Sequence, residues 1–370
     1  MTRRSSIAGV LVALACVTGT AVATRGQQPA GGAPAPGTAA QRGGGVQAMV
    51  VDDAESARRG FKKPHDGPQT IAEYESLFKS ISNWGRWGKD DQLGTMNLVT
   101  DAKRKQAASL VKAGIAVSLS HTLVTETVAD MPTPFELSGG GSTFKYSFHS
   151  TTHSHLDAVC QFDYKGQLYN GWQIKDTKSA KGCTTLDVDA LKNGLTTRGV
   201  LIDIPRLRGV KYLEPGTPIY PEEIEAWEKK AGLKIGPGDA IFLRTGRWQR
   251  RAEKGPWQLF PAPPGEGEAG YHVSCPAWFK NRDVAIVGAD VSNDVTPHVE
   301  VAGEVLSLTR GMPVHSLTIV ALGGIIIDAL DLEAVAETAA KLNRWEFMLV
   351  GAPPRVVGAT GGLINLTAIF

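Results

Sequence analysis

The sequence predicts a mixed α/β fold, of the α+β kind, in which helices surround a mixed β-sheet. Short apolar runs typical of buried strands alternate with segments whose apolar residues recur at helical spacing. Residues 120–170 contain short strand-like segments between turn residues, which favours antiparallel pairing there. At 370 residues, 21% of them charged, and a mean hydropathy of −0.11, the chain is long enough for one large domain.

The N-terminus predicts a signal peptide over residues 1–23. Arg3 and Arg4 precede an apolar stretch too short, and too rich in Ala, Gly and Thr, to span a bilayer comfortably, and Ala21-Val22-Ala23 offers a cleavage site. The Sec and twin-arginine routes both stay open. We therefore expect an exported protein, periplasmic or secreted, that is free of the membrane after processing.

Residues 24–69 predict a disordered leader, because their Gly, Ala, Pro and Gln cannot bury enough apolar surface to fold. Residues 70–370 are then expected to form one catalytic domain. The 39 basic residues nearly balance the 37 acidic ones, so no electric field would attract nucleic acid. The expected partner is a small-molecule substrate.

Periodicity assigns the elements of this domain in order. The predicted helices are Ile71–Ile81, Asp101–Ala113 with Asp101 as its N-cap, a short one at Leu186–Asn193, Glu222–Ala231 and Leu332–Leu342. The predicted strands are Ala116–Leu119, Gly199–Ile204, Ala240–Arg244, Val284–Val287 and Ser316–Val320.

A cluster of histidines predicts a metal site. His149, His153 and His155 place three of the eight histidines within seven residues, and Asp157 follows them. Alternate side chains of a strand share a face, so an extended segment would bring all four together. Imidazole nitrogens and a carboxylate oxygen suit Zn²⁺ or Mn²⁺. The alternative is a polar loop, since Ser and Thr between the histidines are frequent in turns.

Cysteines offer a possible disulfide. Export would permit one, and Cys160, Cys183 and Cys275 remain after removal of the signal peptide. Three is an odd number, so at least one thiol is unpaired within the chain. The pairing stays open, with Cys160 and Cys183 the closer pair in sequence.

Six further segments occur in a characteristic order and spacing. They are Arg86–Leu98, Arg198–Asp203, Pro237–Gly246, Gly288–Asp294, Pro313–His315 and Gly323–Leu332. Together they resemble the metal-dependent cyclase family that includes bacterial kynurenine formamidase, over about residues 83–370. The resemblance implies a swivelling β/β/α-type domain and a homo-oligomer, either dimer or tetramer. It also implies that metal-activated water hydrolyses an amide, or a cyclic amide or lactone. Example substrates are N-formylkynurenine and isatin, and hydrolysis of N-formylkynurenine is a step of tryptophan catabolism.

The family's metal signature has the form His-x-x-x-His-x-Asp-x-x-x-His, and this chain departs from it twice. Aligned on His155 and Asp157, the chain has Thr151 at the first His and Gln161 at the last, catalytic His. Gln161 can orient a water molecule but cannot act as a base, because an amide does not titrate.

A second group of His and Glu completes the metal site in the family. In this chain His315 matches the His, and the shorter Asp328 holds the position of the Glu. His153 is predicted to supply the imidazole missing at position 151. The predicted metal ligands are therefore His153, His155, Asp157, His315 and Asp328. The predicted catalytic residues are His149 as a base, Gln161 as an orienting amide, and His272 as a second candidate base.

Two other functions stay open. Residues 152–157 resemble the His-x-His-x-Asp-His segment of metallo-β-lactamase-type hydrolases, but Ala158 stands where that segment needs a ligating His. A catalytically weak relative that binds a small metabolite is the other alternative, and it is favoured by Gln161 and Asp328.

Overall fold

The computed structural model describes residues 67–262, 266–298 and 301–370, which contain a curled mixed sheet surrounded by helices. The predicted α/β class is therefore confirmed. The predicted signal peptide and nearly all of the predicted leader lie outside the described residues.

Short strands account for most of the regular structure. They are β1 (Ala116–Ser118), β2 (Glu136–Ser138), β3 (Thr143–Lys145), β4 (His155–Asp157), β5 (Lys178–Ser179), β6 (Gly182–Cys183), β7 (Thr197–Asp203), β8 (Pro218–Ile219), β9 (Ala240–Arg244), β10 (Gly270–Tyr271), β11 (Ile286–Ala289), β12 (Ile325–Asp328), β13 (Glu346–Val350), β14 (Gly361–Leu363) and β15 (Thr367–Ile369).

The helices pack around these strands. They are α1 (Ile71–Ile81), α2 (Asp101–Ala108), α3 (Ile174–Thr177), α4 (Ile204–Arg208), α5 (Pro221–Ala231), α6 (Arg247–Lys254), α7 (Cys275–Arg282), α8 (Gly303–Leu308), α9 (Pro313–His315) and α10 (Glu333–Leu342). A π-helix follows at Ser316–Ala321, and 3₁₀ turns lie at Gly94–Leu98, Gly139–Gly141, Tyr169–Gly171 and Val188–Leu191. None of the helices in the described ranges has the length and apolarity to cross a bilayer.

Nine strands form the main sheet, in the order β1-β15-β13-β7-β9-β11-β12-β4-β14. The central strands β7, β9, β11 and β12 pair in parallel, and the outer pairs are antiparallel. All residues of these four strands are buried, which fits the uninterrupted apolar runs at Val200–Ile202 of β7 and Ala240–Leu243 of β9. The antiparallel β4 then attaches to the β12 edge, as expected for the region around residue 150.

Most predicted elements exist, and two need correction. Ser316–Val320 is not a strand but the start of the π-helix, because a short buried apolar run has no periodicity that separates helix from strand. Helix α2 ends at Ala108, and its cap is Thr100, whose hydroxyl accepts from Lys103 N, rather than Asp101.

The Cys160–Cys183 disulfide is formed, which settles the pairing that the sequence left open. Cys183 lies on β6, directly opposite Lys178 of β5. The bridge therefore ties this small hairpin to the segment that follows β4. Cys275 is buried with a free thiol.

Candidate metal centre

The register between β4 and β12 assembles the first part of the site. His155 of β4 lies directly opposite Asp328 of β12. Directly opposite residues share a face of a sheet, as do residues two apart on one strand. Asp157 therefore lies on the same face as His155 and Asp328, at the edge of the parallel core.

His315 reaches the same place from α9. Its Nε2 is 3.1 Å from Asp328 Oδ2, and His155 Nε2 is 3.6 Å from the same oxygen. His155 Nε2 is also 3.9 Å from Asp157 Oδ1. All four side chains are buried. The predicted convergence of His155, Asp157, His315 and Asp328 is thus present in the structure.

Hydrogen bonds at the opposite ring nitrogens fix both imidazoles. His315 Nδ1 donates to Asp294 Oδ2 at 2.6 Å, and His155 Nδ1 lies 2.8 Å from the backbone carbonyl of His153. A proton held at Nδ1 leaves Nε2 as the nitrogen that faces the cluster. This is the arrangement usual for histidines that bind a metal.

Asp294 is itself held in position. It accepts hydrogen bonds from the backbone N–H groups of Val314 and His315, at 2.8 and 3.1 Å, and its other side-chain contact is His298 Nε2 at 3.0 Å. Burial opposes its ionisation, but the hydrogen bonds from His298 and His315 hold the pKa of Asp294 below its usual value. Asp294 can therefore act as a fixed anion behind His315.

One buried carboxylate oxygen of the cluster has no hydrogen bond in the part of the chain that the structure describes. Asp157 Oδ1 is buried and has no hydrogen-bond partner among the described residues, and burial raises the pKa of this carboxyl to about 7. Burial also disfavours the charged forms of Asp328 and His315. Their mutual attraction outweighs it, so the pKa of Asp328 is lowered and that of His315 is well above its ordinary value.

These side chains fit a divalent cation. His149, His155 and Asp157 form one group of potential ligands, Asp157, His315 and Asp328 form a second, and the atoms within each group lie within 4.8 Å of one another. Asp157 belongs to both groups, so it can bridge two ions or complete one. A cation would supply the partner that the buried Asp157 oxygen lacks. The donor set of imidazoles and carboxylates suits Zn²⁺ or Mn²⁺.

His149 and His153 occupy positions that differ from the predicted ones. Only residues 155–157 are extended, because Ser150 Oγ accepts from the backbone N–H groups of Thr152 and His153 and closes a turn. His149 Nε2 is 3.6 Å from Asp157 Oδ1, with its side chain 38% exposed. The reasoning from a shared strand face therefore does not hold for these two histidines.

His153 points elsewhere. Its Nε2 accepts from the backbone N–H of Val124 at 3.2 Å, and its ring packs edge-on against Phe135. It belongs to neither ligand group. Thr151, at the position of the family's first His, donates its hydroxyl to the carbonyl of Asp130. His149 is therefore the imidazole placed to replace the missing one.

Of the other two predicted catalytic residues, Gln161 lies beside the cluster and His272 does not belong to it. The side chain of Gln161 lies close enough to His149 to offset partly the burial that lowers the pKa of the His149 ring. His272 lies beside Tyr220 and its Nδ1 is 2.9 Å from Ser274 Oγ. His272 is in neither of the two ligand groups found in the described part of the chain.

Two contributors were not assigned a role from the sequence. Asn293 donates to Asp328 Oδ1 at 2.6 Å, and Asp294 orients His315. Both lie in the segment Gly288–Asp294 that carries the family resemblance, so their position was visible in the sequence although their function was not.

The chain is similar to several known proteins. Residues 117–294 match the family Cyclase. A crystal structure described as a novel cyclase has a TM-score of 0.67 at 26% sequence identity, covering 79% of this chain and 99% of that chain. An isatin hydrolase bound to the product analogue thioisatinate has a TM-score of 0.47 at 19% identity, covering 72% of this chain and 95% of that one.

A third structure, from Bacillus stearothermophilus and described as a predicted metal-dependent hydrolase, has a TM-score of 0.42 at 16% identity and covers 69% of this chain and 97% of that one. No curated protein matches the sequence.

Proposed function

Because residues 117–294 match the family Cyclase and the fold resembles a novel cyclase at 26% sequence identity, we propose that the protein is a metal-dependent hydrolase that uses water to cleave an amide, or a cyclic amide or lactone. The observation that carries this proposal is the buried Asp157 oxygen, which lacks a hydrogen-bond partner in the described structure and faces the imidazole of His155. A site with this charge and donor set is suited to a divalent ion.

His155, Asp157, His315 and Asp328 would hold the ion, with His149 in place of the predicted His153. When bound, a divalent ion polarises a carbonyl and makes water a better nucleophile at neutral pH. The chain's own contribution is orientation. Asp294 fixes the ring of His315, and the carbonyl of His153 fixes the ring of His155.

Gln161 has a positioning role in this proposal. Its side chain lies beside His149, at the more exposed side of the cluster, where a substrate would enter. An amide can donate to a carbonyl oxygen or accept from water, but it cannot take up a proton. We therefore assign it to orienting the substrate or the water, and not to acid–base catalysis.

The proposed substrates are aryl formamides such as N-formylkynurenine, or a cyclic amide such as isatin. Both compounds are ones that the resemblance to the metal-dependent cyclase family implies. We also propose a homo-oligomer and zinc or manganese as the resident metal.

The test is turnover by purified protein loaded with Zn²⁺ or Mn²⁺. We expect hydrolysis of N-formylkynurenine or isatin, its loss on chelation, and its loss in His155→Ala. His121→Ala is a matched control, because His121 belongs to neither ligand group and stacks on Trp248. Metal-loaded protein that turns over neither compound would contradict the proposed activity.

A catalytically weak relative that binds a metabolite is the second candidate. Gln161 favours it, because the residue that titrates in the family is absent. This candidate predicts binding of metal and of a substrate analogue without turnover. The same preparation therefore separates the two functions.

A further inference from the structure

Lys178 lies beside the metal cluster and has no assigned role. Its Nζ donates to the backbone carbonyls of Cys160 and Gln161, at 3.1 and 3.4 Å. Burial raises the pKa of Asp157, and the Lys178 ammonium is among the charges that counteract this effect. The positive charge of Lys178 therefore acts on Asp157.

The ammonium is half-buried and its charge is not neutralised by contact. No carboxylate in the described ranges lies within ion-pair distance of Lys178 Nζ, and its two acceptors are neutral carbonyls. An ammonium has three donor hydrogens, so one remains for another acceptor. A partly desolvated cation whose direct acceptors are neutral carbonyls favours an anion as the third acceptor.

The position of Lys178 is constrained by the fold. It lies on β5, opposite Cys183 of β6, and Cys183 is bonded to Cys160. The disulfide thus fixes the lysine-bearing hairpin to the same segment whose carbonyls the ammonium contacts. A cation held in this way binds a ligand without first losing the freedom of its own backbone.

The neighbouring surface is aromatic and basic. The ring of Phe162 lies 5.1 Å from the ring of His315, and the Arg310 guanidinium lies 4.8 Å from the Phe162 centroid on another side. Arg310 pairs with Asp163 at 2.7 Å, so these two charges compensate each other. Lys178 makes no such ion pair among the described residues, and Asp157 and Asp163 act on it only at longer range.

We propose that Lys178 binds a carboxylate of the substrate, so that the enzyme prefers aryl amides that carry an acidic group. This inference rests on the proposed hydrolase function and narrows its substrate class. The scissile amide lies at the metal cluster, and the carboxylate lies at the hairpin β5–β6. Lys178 is then a specificity-determining residue.

The experiment compares two formamides that differ by one carboxylate, 2-formamidobenzoate and formanilide. We expect the metal-loaded wild type to prefer 2-formamidobenzoate by about 10-fold or more in kcat/KM, as one charge-assisted hydrogen bond provides. Lys178→Met should remove this preference through KM, with a loss of kcat/KM on 2-formamidobenzoate about 10-fold larger than any loss on formanilide. Lys178→Arg should keep most of the preference. Lys181→Met, on the same hairpin and exposed, should alter neither substrate.

Equal losses on both substrates, or none on either, in Lys178→Met that melts at the wild-type temperature would overturn the inference. A direct binding measurement separates it from the hydrolase proposal. 2-Aminobenzoate should bind the metal-loaded wild type about 10-fold more tightly than aniline, and Lys178→Met should lose that difference. If the wild type hydrolyses neither formamide, the aryl-formamide activity fails and this binding difference alone decides the role of Lys178. A wild type that binds 2-aminobenzoate and aniline equally well would also overturn the inference.

Discussion

His149 and His153 lie four residues apart, yet only His149 faces Asp157. Ser150 decides this difference, because its hydroxyl binds two backbone N–H groups and turns the chain before β4 begins. The His/Asp cluster in the sequence does contain side chains that could hold a metal. Which imidazole lies beside Asp157 depends on a turn that periodicity does not show. His155, Asp157, His315 and Asp328 were indicated by the family resemblance, and the structure brings them together.

Replacing His149 should therefore weaken metal binding, whereas replacing His153 should not. His149→Ala should weaken Zn²⁺ or Mn²⁺ binding by about 10-fold or more, because it removes a ligand beside Asp157. His153→Asn should leave metal affinity within about 3-fold, provided that the fold is intact. Calorimetric titration of both variants with metal, after melting curves, checks this. Normal affinity in His149→Ala with loss in His153→Asn would restore the original assignment.

Glu268 gives a prediction about pH. Burial raises its pKa to about 7, although Arg247 and Ser292 act in the opposite direction. The unfolded chain releases this proton near pH 4.5, so between about 4.5 and 7 the folded state holds one more proton. Its contribution to stability is therefore present below pH 4.5 and is lost as the pH rises to about 7, by at most roughly 3 kcal/mol.

Urea unfolding of wild type and Glu268→Gln across this pH range measures the effect. The variant should lose part of the decline in stability with rising pH, whereas Glu337→Gln, an exposed position on α10, should retain it. Parallel stability curves for wild type and Glu268→Gln would show that Glu268 does not titrate in this range.

At the scale of elements, the strands with continuous apolar sequences were the predictable ones. β7 and β9 are buried on both faces and read directly as strands. Ser316–Val320 and β12 are both short apolar runs next to Gly323-Gly324, and the sequence prediction chose the wrong one as the strand. The difference is tertiary, because β12 is the run that pairs with β11 and β4.

The opening segment that carries the family resemblance proves to be structural. Thr95 N donates to Gly323 O at 2.9 Å, and Trp84 Nε1 donates to Val320 O at 2.7 Å. The segment thereby covers the π-helix that follows His315. These bonds support the site from outside, and they involve none of the proposed ligands.

The disulfide predicts a loss of stability on reduction. Cys160 and Cys183 are 23 residues apart, and a loop of this size contributes about 3 kcal/mol by restricting the unfolded chain. Reductant should lower the free energy of unfolding by about this amount. The double variant Cys160→Ala/Cys183→Ala should show the same lower stability and no response to reductant. A wild type that reductant does not affect would contradict a formed bridge.

For the whole molecule, we propose export, because a signal peptide and a disulfide belong to an oxidising compartment. Cleavage after Ala23 would remove Arg3 and Arg4 and leave a nearly neutral mature protein. Mass spectrometry of the exported chain should show a new N-terminus at Thr24. Intact Met1 on protein recovered outside the cytoplasm would contradict this processing.

The central claim concerns the whole fold, because β4, β12 and α9 are far apart in sequence and must hold the same ion. Anomalous diffraction from crystals loaded with Zn²⁺ or Mn²⁺ tests it most directly. We predict one or two anomalous peaks beside Asp157, with His155 and His315 nitrogens about 2.1 Å from the metal. Loaded crystals with no peak there, or with a metal held by His153 and not His315, would contradict the account.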